Sequence, residues 1–177
     1  MSVQAPLSPN KRMIEGVLKN DCMAVVDALA DGADPLRQTV QDVSVLTLAI
    51  RMGYIDIAAA MLHAGNIADF QLTSAHRTTL SYAIEADVAE LTCKRTALLL
   101  GYGADPNVTF TYDGKAGVTV DAILDAKQTE AMPPEEVTIT DIRDMLAERR
   151  SVLATERMMT QRRQMLLKGA QNRKFKL

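Results

Sequence analysis

Ala28-Leu29-Ala30-Asp31-Gly32-Ala33-Asp34-Pro35 closes the first of three similar stretches. Met61-Leu62-His63-Ala64-Gly65-Asn66 closes the second, and Leu98-Leu99-Leu100-Gly101-Tyr102-Gly103-Ala104-Asp105-Pro106-Asn107 closes the third. Gly65 follows Gly32 by 33 residues, and Gly103 follows Gly65 by 38. Self-similarity at a period near 33 marks stacked helix pairs, in which no single unit can bury its apolar face alone. The expectation is an all-α chain that binds rather than catalyses.

The unit ending at Gly65 is the clearest. Leu46, Ala49 and Ile50 are spaced i, i+3, i+4 and form one face of a short helix. Gly53 stops that helix and turns the chain. Ile57, Met61 and Leu62 form the face of a second helix, and Ala58, Ala59 and Ala60 are small enough for close packing. Thr79-Leu80-Ser81-Tyr82-Ala83-Ile84 repeats Val45-Leu46-Thr47-Leu48-Ala49-Ile50 at a spacing of 34, with an insertion of about four residues falling at 87–95. The first unit is more degenerate, with Val17, Leu18, Val25, Ala28 and Leu29 on its apolar face. A fourth begins with a helix from Gly117 and includes Val120, Ile123 and Leu124. After Pro133-Pro134, Thr138 or Thr140 is expected to cap a last helix starting near Asp141.

These units resemble the ankyrin repeat family over roughly residues 13–150. The helix-turn-helix pattern, the Gly before each loop, and the endings Gly-Ala-Asp-Pro and Gly-Ala-Asp-Pro-Asn carry the resemblance. It implies an ankyrin-like solenoid of about four helix-turn-helix repeats, joined by hairpin fingers, that binds a partner protein. The family's Thr-Pro-Leu-His tetrapeptide stands here as Ser44-Val45-Leu46-Thr47 and Thr78-Thr79-Leu80-Ser81. The missing His implies the loss of an inter-repeat hydrogen bond and modest stability.

Composition agrees with a helical domain. Apolar residues make up 47% and aromatics 4%, with no Trp, so aliphatic side chains must fill the core. Residues 1–12 read as an extension without an apolar signal segment, and no apolar run is long enough for a membrane span. Cys22 and Cys93 read as reduced, packed thiols in a cytoplasmic protein. The net charge of −2 hides a division. Through Glu148 there are 11 Lys and Arg against 21 Asp and Glu, a balance of −10; from Arg149 onward, 9 face one acid, a balance of +8.

No catalytic set, metal-ligand spacing or cofactor loop stands out, so no enzyme activity, metal, cofactor or small-molecule substrate is expected. His63 reads as a surface or inter-repeat residue. The carboxylates of the Gly-Ala-Asp-Pro segments read as turn acceptors. Asp113-Gly114 marks a hairpin between Thr109-Phe110-Thr111-Tyr112 and Ala116-Gly117-Val118. A binding strip along the fingers would comprise Arg37, Gln38, Phe70, His76, Arg77, Phe110, Tyr112 and Lys115, since aromatics and Arg anchor interfaces. Alternatively, Phe70 and Phe110 fold back as local core.

No Gly or Pro interrupts residues 141–168, and Met145, Val152, Met159 and Leu166 are seven apart, as are Leu146 and Leu153. A helix over this span would run about 42 Å and end at Gly169. Residues 151–177 would then form a basic amphipathic helix and tail. Three readings stand. The tail docks on the chain's own acidic body, or its Met158, Met159, Met165 and Leu166 enter a partner's groove. In the third, Arg149, Arg150, Arg157, Arg162, Arg163, Lys168, Arg173, Lys174 and Lys176 bind nucleic acid or an anionic surface. The acidic body itself favours a basic partner.

Overall fold

The computed structural model describes residues 7–37, 43–64, 77–85, 89–130 and 135–174. Among them the helices fall into four pairs: α1 (Pro9–Leu18) with α2 (Cys22–Ala30), α3 (Val45–Met52) with α4 (Ile55–Ala64), α5 (Thr79–Glu85) with α6 (Ala89–Gly101), and α7 (Val120–Glu130) with α8 (Glu135–Lys174). Within each pair the helices touch. Between pairs, α1, α3, α5 and α7 form one row, and α2, α4, α6 and α8 a second. The chain is therefore an all-α solenoid that carries, among the described residues, a β-hairpin of β1 (Phe110–Tyr112) with β2 (Lys115–Val118).

The glycines repeat because one turn geometry repeats. Gly32 donates to the Leu29 carbonyl at 3.0 Å while Ala33 donates to Ala28 at 2.9 Å. Gly103 and Ala104 do the same to Leu100 and Leu99. Both glycines lie at positive φ, +88° and +100°. This is the helix-ending motif that takes a left-handed residue just beyond the last turn. The same bonds close the turns inside the first two pairs, at Gly53 (φ +79°) and at Asn20 (φ 54°), where a short polar side chain tolerates the left-handed well.

One core runs along the stack. Met13, Val17, Val25, Ala28, Leu46, Ile50, Ile57, Met61, Ile84, Leu99, Leu124 and Leu146 belong to it. In the first unit Leu18 departs from its expected place: it ends α1 on the outer side and is 58% exposed. The inserted residues lengthen α6 to 13 residues against 10 in α4. The fourth first-helix starts at Val120 rather than Gly117, because Gly117 (φ +77°) and Val118 belong to β2.

Neither tetrapeptide has a histidine, and a different bond crosses between α3 and α5. Ser44 Oγ lies 2.9 Å from Thr47 Oγ1, and Thr47 Oγ1 lies 2.9 Å from Thr79 Oγ1 of the next repeat. All three residues are buried. A chain of hydroxyls thus joins α3 to α5. A second tie is Arg95 of α6, which is buried and donates from Nη2 to the Arg51 carbonyl in the last turn of α3 at 3.1 Å. Its charge sits at the negative end of that helix, and burial lowers its pKa.

The last helix starts earlier and ends later than the sequence suggests. It begins at Glu135, directly after Pro133-Pro134, and continues through Gly169 to Lys174, 40 residues in all. At 1.5 Å per residue it is about 60 Å long. Ile139, Ile142 and Leu146 are buried against the stack, whereas residues 154–165 and Leu167 are exposed.

Candidate protein-binding surface

Two surfaces carry the residues singled out from the sequence: the finger between α6 and α7, and the projecting part of α8. The finger is a tight hairpin. Asp113 (φ 48°) and Gly114 (φ 71°) are both left-handed, the geometry that matches the twist of two short strands. Phe110 pairs with Val118, and Tyr112 with Lys115, with a bulge between them.

Phe110 does not present itself to a partner. It is 4% exposed and belongs to the core beneath the hairpin, as the fold-back alternative expects. Tyr112 and Arg77 hold the finger's root. The Arg77 guanidinium lies 4.1 Å from the Tyr82 ring centre and 4.8 Å from that of Tyr112. Its Nη2 pairs with Glu85 Oε2 at 2.7 Å, and the Tyr112 hydroxyl donates to Glu85 Oε1 at 3.0 Å. The hydrogen bond to Glu85, then burial, raises the Tyr112 pKa. Arg51 adds a longer contact, 5.7 Å from the Tyr82 ring centre. This cluster fastens β1 to α5. Tyr82 and Glu85 were not marked by the sequence, because nothing in their spacing shows that a later hairpin returns to them.

Lys115 is exposed near the hairpin tip, and Arg37 is exposed after the first Asp-Pro turn. Gln38, Phe70 and His76 lie outside the described residues. The loop carboxylates act as turn acceptors: Asp34 Oδ1 accepts from Leu36 N, and Asp105 Oδ1 from Asn107 N, each at 2.9 Å. His63 is exposed at the end of α4. Cys22 and Cys93 are free, half-buried thiols, and burial, with Asp141 nearby, raises the Cys93 pKa. Such a shift disfavours the thiolate and so a nucleophilic role.

Part of the basic tail is engaged by the body. Arg149 donates to the Gly103 and Ala104 carbonyls, each at 3.4 Å, at the turn that closes α6. Arg150 grips both oxygens of Asp121, and Arg143, seven residues earlier, pairs with Asp125 at 2.6 Å. Asp121 and Asp125 are one turn apart on α7, so the two pairs form an antiparallel ladder. Arg157, seven further on, reaches Asp105 Oδ2 at 3.1 Å. Beyond it, Met158, Met159 and Met165 are 63%, 69% and 72% exposed, and Arg162 and Arg163 are exposed as well. The side chains of Leu166, Lys168, Arg173 and Lys174 lie outside what the structure describes. Among the described residues no helix is long and apolar enough to cross a membrane.

Fold and surface together define a repeat solenoid with a projecting finger and a projecting basic helix. No family model matches the sequence, and no curated protein does. Among solved structures, that of EF0377, an ankyrin repeat protein, overlaps 76% of this chain and 78% of its own length, at 18% identity and a TM-score of 0.41. At that level of likeness, the solenoid description rests on the helix pairs and their repeated turns.

Proposed function

We propose that the chain is a non-enzymatic protein-binding module of the ankyrin-repeat kind, working in the cytoplasm as an adaptor, inhibitor or assembly component. The observation that carries this reading is the anchored finger. Phe110 in the core and the Arg77–Glu85–Tyr112 cluster hold a rigid hairpin whose tip, with Lys115, faces solvent. Rigid presentation lowers the ordering cost of binding. Arg37, on the turn after α2, extends the same strip toward the first repeat. The excess of acids through Glu148 favours a partner with basic groups, by charge complementarity.

Binding of nucleic acid or an anionic surface through the tail is the second reading, favoured by the exposed Arg162 and Arg163. It loses ground because Arg149, Arg150 and Arg157 already bond to the body. Each arginine so engaged is unavailable to release counterions from a phosphate chain.

The test is affinity purification from the native cell with and without nuclease. Three baits are compared: the full chain, an R37E/K115E variant, and residues 1–150. A protein retained by the full chain and by 1–150, and lost from R37E/K115E, supports the finger reading. Retention that depends on the tail and disappears with nuclease supports the second reading instead.

A further inference from the structure

We infer that the outer face of α8 is a self-association surface, and that its occupant is the α8 of a second copy of this chain, running antiparallel. The inference deepens the proposal above at its second contact, rests on reading α8 as a protein-binding surface, and does not depend on the finger. Residues three, four and seven apart share one face of a helix. On α8 these spacings join Asp144, Glu148, Val152, Met159, Arg162 and Arg163. All six are exposed, and the four charged ones take part in no ion pair among the described residues.

Their order along the helix is what selects the occupant. The two acids come first, the apolar Val152 and Met159 lie in the middle, and the two arginines come last. Turned end for end about a point between Val152 and Met159, the face lays its acidic end along the basic end of its copy. Val152 falls opposite Met159 of the other copy, and Glu148 opposite Arg163. A parallel arrangement would set acids on acids and arginines on arginines, which is repulsive. An antiparallel pair is an isologous two-fold interface, and it closes at the dimer.

The stack supplies a seat for the incoming helix. Ala97, Leu100 and Gly101 of α6 border a groove of about 280 Å³ along the same side of α8, next to Met145 and Val152. Two small residues in that wall admit close approach of another helix. Exposed methionine on the projecting part supplies adaptable apolar area.

The test is sedimentation equilibrium of the full chain, at low and high salt, on the wild type and three variants. Circular dichroism checks that each variant, altered only at exposed residues, keeps its helix. The wild type should form a reversible dimer that weakens with salt. R162E/R163E and D144K/E148K should each raise the dissociation constant by about tenfold or more, since each sets like charges opposite one another at the 148–163 pair. The fourfold variant carrying all of these changes should dimerise again, because its face is complementary with the signs exchanged. A wild type that stays monomeric overturns the inference, as does a dimer indifferent to R162E/R163E. A monomer whose arginines instead bind a DNA duplex or anionic vesicles overturns it too, in favour of the anionic-surface reading. Because no other protein is present, failure here leaves the finger proposal standing, and loss of the finger's partner leaves this result standing.

Discussion

Gly53 concentrates two constraints at one residue. Its φ of +79° is in the left-handed region, and an added Cβ would lie 2.9 Å from Arg95 Nη2 and 3.3 Å from Leu91 Cδ1. The first constraint alone costs about 1–2 kcal/mol for an ordinary residue. Gly53→Ala should therefore lower stability by at least about 1–2 kcal/mol in a denaturant titration. Gly32 has the same handedness but open space around it, so Gly32→Ala should cost no more than the backbone term. A loss at Gly53 no larger than at Gly32 would show that Arg95 yields freely. Thr47 makes a second residue-scale case. It bonds across the repeat boundary to Thr79, and the net contribution of such a bond is about 0.5–1.5 kcal/mol. Thr47→Val and Thr79→Val should each destabilise, and the double variant should show a coupling of about 1 kcal/mol. Strict additivity would deny the hydroxyl chain its role.

At the scale of elements, the hairpin and α8 behave in opposite ways. The hairpin has the look of an appended loop but is rooted in the core. Phe110→Ala should cost about 3–5 kcal/mol, the range for a buried Phe, with a matching drop in the urea midpoint. A cost under about 1 kcal/mol would mean that the finger floats free of the stack. The last helix looks uniform in sequence yet divides in burial. Its early turns bury Ile139, Ile142 and Leu146, and its arginines at 143, 150 and 157 fasten it to Asp125, Asp121 and Asp105. After that it projects. The Met145, Val152, Met159 stripe was legible as an apolar seam. That the seam lies beside the buried face, and not on it, became visible only when Ile142 and Leu146 took the core side.

For the whole molecule, the acidic body and basic tail are partly reconciled within one chain. Those ion pairs sit at or near the surface, where each contributes about 0–1 kcal/mol. Removal of residues 151–177 deletes the Arg157–Asp105 pair and leaves the buried core of α8 in place. The shortened chain should therefore melt within a few degrees of the full one; a large fall would reveal burial of the projecting helix. Much of the stack was written locally. The recurrence of Gly32 and Gly103, the i, i+3, i+4 faces of α3 and α4, and the Asp113-Gly114 turn all depend on residues within one or two helical turns. Local spacing therefore determined the helix pairs, their order and the hairpin. Tertiary structure alone decided that Phe110 is core, that Arg77 and Tyr112 meet at Glu85, and that hydroxyls bond between α3 and α5. It also decided which arginines of the tail are bound. Each of those outcomes depends on groups dozens of residues apart meeting in space, and a pattern of local spacing carries no record of such meetings.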